Sequence, residues 1–207
     1  MNLKNLHFKN VASAFVGATI FMAATIHTAK ADSESTKAYQ AVMDGMMEKM
    51  MVAPTGAADA DFVQAMIPHH QGAVAMAQVE LRYGKDEAMR KLAADIITEQ
   101  NSEINFMQKW LKDHDVKSMR ISPAAKAAAT EPMDKMMKDM AINYSDNADV
   151  DFAHGMVPHH QGAIGMANVV LKFGQNTEIK KLAEDVVGAQ TIEITHMNNW
   201  LAKQPAK

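Results

Sequence analysis

The sequence contains no cysteine. That excludes a disulfide framework, a cysteine-based zinc site and a thiol nucleophile. Aromatic residues are sparse at 6%, so aliphatic side chains and methionine must fill any core. A basic excess is also missing. The formal charge is −3, whereas a nucleic-acid binder carries a positive patch. Lysine and arginine runs of the kind that hold an anionic membrane surface are absent, and so is any long apolar run after residue 31. No nucleophile–base constellation and no phosphate-cradling glycine loop can be found, so the chain is not expected to be an enzyme. What is abundant is methionine, with 19 in 207 residues.

Residues 1–31 read as an export signal rather than as part of the fold. Lys4 and Lys9 make a positive start, Val11 to Ile26 is apolar, and Ala29-Lys30-Ala31 fits a small-residue cleavage site. The apolar run, about 16 residues, is short for a bilayer span of about 20. The expected location is therefore periplasmic or secreted, with no membrane insertion once the signal is removed. The remainder, 32–207, is expected to form one domain. Export also explains the missing cysteine. In an oxidising space thiols pair or oxidise, whereas the methionine thioether forms no disulfide and can still hold a soft metal.

Shifted by 90 positions, the chain aligns with itself without gaps. Met66-Ile67-Pro68-His69-His70-Gln71-Gly72-Ala73 matches Met156-Val157-Pro158-His159-His160-Gln161-Gly162-Ala163. Met76, Glu103, Met107 and Trp110 match Met166, Glu193, Met197 and Trp200. Upstream, Met43, Met46, Met47 and Met50 match Met133, Met136, Met137 and Met140. This is an internal duplication, with one repeat over about 40–113 and the other over about 130–203.

Each repeat reads as three helical pieces. The first is a short methionine-rich helix, Ser35 to Val52 and about Thr130 to Ile142. The second starts near Asp59 or Asp149, taken as N-caps, and ends at Gly84 or Gly174, taken as C-terminal cap glycines. The third runs from about Asp86 to Lys112 and from Asn176 to Lys203. Apolar residues recur at helical spacing and nothing alternates with period two over a useful length, so no sheet is expected. Four long amphipathic helices pack most economically as an all-α four-helix bundle with the short helices added.

His69, His70, His159 and His160 interrupt the apolar stripes, as do Glu103 and Glu193 on the following helices. Burying such groups is costly unless they are paired or bound to metal, and helix bundles build metal sites from side chains on facing helices. Four histidines and two glutamates are expected to converge in the bundle core. Met66 precedes His69 by three and His70 by four, so the three share one face; Met107 follows Glu103 by four. Imidazole with thioether suits Cu(I), with silver as its surrogate, and imidazole with carboxylate suits Cu(II) or zinc. Glu103 and Glu193 fit equally as ligands or as hydrogen-bond partners of a histidine. Gln100 and Gln190 fit a supporting hydrogen-bonding role. Pro68 and Pro158 are expected to bend their helices beside the histidine pairs. His154 and His196 occur only in the second repeat and are further candidate ligands; His114 is expected on the surface. The eight methionines of the short helices recur at i, i+3, i+4 and i+7. Methionine is an adaptable core filler, but leucine would fill a helix core as well, so soft-metal binding is the preferred reading.

Met66-x-Pro68-His69-His70-x-x-Ala73-x-x-Met76-Ala77, followed by Glu103-Ile104-x-x-Met107-x-x-Trp110-Leu111, resembles the exported bacterial family of domain of unknown function number 305. The resemblance covers about residues 40–203. It implies a ferritin-like four-helix bundle built from two helix-pair repeats. It also implies periplasmic copper binding linked to copper resistance, with the histidine pairs as the family motif and neighbouring methionines as copper ligands. Copper ions are then the expected partner, with a copper efflux or delivery protein as a further one. Two other readings stay open. One is a ferritin-like di-metal oxidase, which needs about four glutamates and two histidines in Glu-x-x-His motifs. Glu193-x-x-His196 is a single such match. The other is a metal-independent interaction module with methionine as plastic packing.

Overall fold

The structure is a computed structural model. It describes residues 33–50 and 52–205, so the expected export signal lies outside the described residues. Among the described residues six α-helices follow in order: α1 (Glu34–Met50), α2 (Ala58–Tyr83), α3 (Glu87–Asp113), α4 (Pro123–Asp139), α5 (Ala148–Phe173) and α6 (Thr177–Leu201). A 3-10 turn, Val116–Ser118, precedes α4, and no strand occurs among the described residues. The fold is all-α: a four-helix bundle of two repeated pairs, α2/α3 and α5/α6, with α1 laid on α2 and α4 on α5.

The two central helices, α2 and α5, each pack mainly against three neighbours, including one another. That is why they carry buried residues almost all round, including Phe62, Val63, Met66, Ala73 and Met76 on α2 and their counterparts on α5. They run antiparallel, because the first turn of α2 reaches the end of α5. Asp59 accepts hydrogen bonds from the backbone N–H groups of Gln175 and Asn176 in the α5–α6 turn. Asp149 does the same for Lys85 and Asp86 in the α2–α3 turn, at 2.8 Å each. Each repeat thus holds the other repeat's hairpin turn. Asp59 and Asp149 are therefore not N-caps. Both lie inside the first turn, behind Ala57, which makes no side-chain cap, and Asn147, which does.

Other boundaries shift for readable reasons. Helix α4 starts at Pro123, seven residues before the expected Thr130, because Ser122 caps it and proline suits the first helical position. Asp86 and Asn176 cap α3 and α6, accepting from the N–H groups of Ala88 and Met89 and of Glu178 and Ile179. Gly84 and Gly174 do follow the second helices, but in extended rather than left-handed conformation, with φ −66° and −68°. Glycine is needed there for space: a Cβ on Gly174 would stand 2.5 Å from the Asp59 carboxylate. Pro68 and Pro158 sit within continuous helices. Each withholds an N–H from the carbonyl four residues back, and those residues, Gln64 and His154, are exposed, where water can take its place.

The short helices are seated by their methionines. Met46 of α1 crosses Gly72 of α2, and Met136 of α4 crosses Gly162 of α5, where a Cβ would stand 2.6 Å from the Met136 sulfur. The repeated glycines, two residues after each histidine pair, let the thioethers reach the helix backbone.

Candidate metal centre

All four paired histidines are fully buried. They do not converge on one point. They form a row across the α2–α5 interface, ending in a glutamate on each side. Glu103 of α3 accepts from His70 Nε2 at 2.7 Å, and Glu193 of α6 accepts from His160 Nε2 at 2.6 Å. Within each pair the ring centroids are 6.1 Å apart. At the centre the rings of His69 and His159 approach to 3.7 Å. The row thus runs Glu103, His70, His69, His159, His160, Glu193. The expected convergence of all six groups is corrected in this sense: neighbouring α-helical residues point their side chains about 100° apart, so His69 turns to α5 while His70 turns to α3.

The hydrogen bonds set the tautomers. A carboxylate can only accept, so His70 and His160 carry their protons on Nε2. His159 Nε2 lies 3.1 Å from the His69 carbonyl and donates to it. None of the Nδ1 atoms of His70, His159 and His160 has a protein hydrogen-bond partner, and neither nitrogen of His69 has a side-chain partner of its own. Burial, and after it the neighbouring histidines, holds the pKa values of His69 and His159 well below the usual imidazole range. These rings are neutral at physiological pH, the state a metal requires.

The thioethers share this core. Met66, Met107, Met156 and Met197 are wholly buried, and Met76 and Met166 nearly so. In the short helices the methionines divide into two rows. Met46, Met50, Met136 and Met140 are buried. Met43, Met47 and Met133 are half-buried against the core, and Met137 is 39% exposed. Among the described residues no three His, Asp or Glu side chains are gathered as a ready-made metal site. Orphaned imidazole nitrogens in a core rich in buried sulfur suit a soft cation such as Cu(I) or Ag(I) better than a hard one. Gln100 and Gln190, one turn before the glutamates, are buried with their side-chain carbonyls unpartnered.

Three expected residues stand apart. His154 and His196 are exposed, and His196 lies near Asp86 rather than in the row. His114 is not a free surface group: its ring stacks on Trp110 at 4.4 Å and Nδ1 meets the Trp110 carbonyl. A second polar cluster was not anticipated. Glu80 and Tyr39 are buried together near Asp149, with the Tyr39 hydroxyl 3.4 Å from Glu80. Burial, then the Asp149 carboxyl, raises the Glu80 pKa to about 8. Val170 occupies the position of Glu80 in the second repeat; that mismatch was the only signal available for it.

Comparison with known proteins agrees with the all-α fold. The family model of domain of unknown function DUF305 matches residues 10–111 and again 59–201. The solved structure of CopM in its silver-bound form is 30% identical, with a TM-score of 0.56, covering 72% of this chain and 97% of that one. The Cu(I)-bound form of CopM gives 30% and 0.53, covering 69% and 94%. A DUF305 protein from Streptomyces coelicolor is 28% identical with a TM-score of 0.57, covering 74% and 96%. Uncharacterized protein L153 of Acanthamoeba polyphaga mimivirus is 38% identical over 53 residues, which span 26% of this chain and 35% of that protein. The chain belongs to the DUF305 family.

Proposed function

We propose that this DUF305 chain is a periplasmic copper-binding protein that sequesters Cu(I), or hands it on to an efflux or delivery protein, and so contributes to copper resistance. The observation that carries the reading is the row of four buried imidazoles, whose Nδ1 atoms have no hydrogen-bond partner, in a core rich in buried thioethers. Likeness to CopM, solved with silver, Cu(I) and Cu(II), supports it. Within this reading His69, His70, His159 and His160 supply nitrogen, and Met66, Met107, Met156 and Met197 with Met76 and Met166 supply sulfur. The accessible thioethers Met43, Met47, Met133 and Met137 take up the ion first. Bound copper supplies no reaction here; the protein holds the ion and excludes water from it.

A di-metal oxidase is disfavoured by the carboxylates. Glu103 and Glu193 are spent on histidines of the row, and His196 of the one Glu-x-x-His match is exposed. No helix among the described residues is long and apolar enough to cross a membrane.

The test is a competition titration of the purified chain with a Cu(I) chelator. Several Cu(I) ions per chain are expected, and fewer after replacement of His69 and His159 by alanine. No binding above the chelator's competition would sink the reading.

A further inference from the structure

The two repeats differ at one place, which the copper reading touches only through Met133 and Met166. An apolar chamber of about 130 Å³ lies between α2, α4 and α5, and Phe62, Ala129, Met133, Met166 and Val170 are among its walls. Its counterpart, 90 positions away, lies beneath α1 and is filled. Tyr39 stands where the second repeat has Ala129, and it is 2% exposed. Its ring stacks on Tyr144 with centroids 6.5 Å apart, and its hydroxyl meets Glu80 and the Ala148 carbonyl at 3.4 Å and 3.3 Å. The positions of those three partners are Pro54, Val170 and Ala58 around the chamber, and each lines it. Ile142 also turns inward on the filled side, to within 3.6 Å of where a Cβ of Gly155 would sit, whereas its counterpart Val52 is 69% exposed. The duplicated fold therefore keeps the room of one aromatic ring and omits the ring.

We propose that this chamber is a binding site for one small monocyclic aromatic molecule of benzene or toluene size. Apolar cavities of about 150 Å³ take up benzene or xenon; this one has a similar volume and opens to solvent on one side, where Val52, Gln64 and Thr130 are exposed. Of its two lining carboxylates, Asp134 is exposed to solvent. The other, Asp61, is committed to the Thr55 N–H and hydroxyl and to the Gly56 N–H. The other polar lining residues, Gln64 and Thr130, lie at the exposed rim, so water finds few partners against the inner wall of Phe62, Met166 and Val170. The Met133 and Met166 thioethers would face the ring, a favourable sulfur–aromatic contact. Specificity follows from the floor. Glu80 receives the Tyr39 hydroxyl on the filled side, but Val170 offers no acceptor, so toluene should bind in preference to phenol.

Toluene titrated into the full chain, carrying 13C-methyl-labelled methionine, is expected to shift the Met133 and Met166 methyl resonances saturably and to raise the Tm. Phenol should bind at least about tenfold more weakly. Ala129→Phe, which supplies the missing ring, should abolish the saturable shifts and raise the Tm without ligand. Ala129→Leu fills the chamber with less bulk and should weaken toluene binding if the phenylalanine does not fit. Absence of saturable shifts in the unmodified chain, shifts that survive in both variants, or equal binding of phenol would overturn the proposal.

Discussion

His69 of α2 and His159 of α5 face each other with ring centroids 3.7 Å apart, and the His159 ring donates to the His69 backbone carbonyl. The contact joins the two repeats at equivalent positions, and a hydrogen-bonded imidazole–glutamate pair backs it on either side. Two neutral rings tolerate such proximity; two imidazolium ions in a dry core would not. On the proposed function, copper capture and bundle cohesion would therefore draw on the same groups.

The backing glutamates fix which nitrogen is free. Glu103→Leu or Glu193→Leu is expected to lower Cu(I) affinity about 10- to 100-fold, the usual effect of losing a carboxylate behind a ligating histidine. Glutamine at either position still offers a carbonyl acceptor and should retain most of the affinity. 15N NMR of the histidine rings checks the cause: the Nε2–H form of His70 should dominate in Glu103→Gln as in the original chain, and a mixture should appear in Glu103→Leu.

The two methionine rows should separate in their effects. Met46 is 3% exposed and crosses Gly72. Met46→Ala is expected to cost about 2–5 kcal/mol of unfolding free energy, and Met46→Leu less than about 1.5 kcal/mol. Met137 is 39% exposed, so Met137→Ala should change stability by about 0.5 kcal/mol or less while reducing Cu(I) uptake. Urea denaturation and copper titration of the same variants provide both readings. Equal stability losses at Met46 and Met137 would remove the distinction between seating and capture.

Much of this organisation is legible in the sequence, because duplication and helical period are strong signals. The 90-residue shift locates both histidine pairs, both glutamates and the methionine rows, and heptad-like apolar spacing gives the long helices. What was not legible depends on contacts between the repeats. Asp59 and Asp149 look like caps of their own helices because a short acceptor before an apolar run usually is one. Only the antiparallel packing of α2 on α5 brings each to the other hairpin's turn. The linear row instead of a cluster likewise depends on where α3 and α6 stand. Ser122-Pro123 is a readable start for α4, obscured because it lies upstream of the repeated unit.

The cross-repeat turns give a third prediction. Asp149 is 7% exposed and accepts from two backbone N–H groups. Asp149→Ala orphans both, and the expected loss is about 2–4 kcal/mol. Asp59, more accessible, makes the matching bonds to Gln175 and Asn176; water can replace part of them, so Asp59→Ala should cost less. Hydrogen exchange should quicken at residues 85 and 86 in the first variant and at 175 and 176 in the second. Exchange that quickens in the mutated repeat's own turn instead would contradict the exchanged arrangement.

Two kinds of buried group should tilt the pH dependence of stability in opposite directions. His69 and His159 have depressed pKa values in the fold. Below about 6.5 the unfolded chain takes up protons that the folded rings refuse, so this contribution falls as the pH drops through that value. Glu80 has the reverse sign. Its pKa rises from 4.5 to about 8, so between those values the folded chain holds a proton the unfolded one has lost. Its contribution is fully present below pH 4.5 and is lost as pH rises to about 8. Arg90, which opposes the shift, and Asp149 and Tyr39, which adjoin the carboxyl, remain in place in Glu80→Gln. That variant cannot ionise at this position, so its stability should decline less between about pH 5 and pH 8 than that of the original chain, with the acid limb unchanged. Urea midpoints at intervals of about one pH unit measure both limbs. An unchanged slope over the neutral limb in Glu80→Gln would show that the buried carboxyl does not carry the raised pKa.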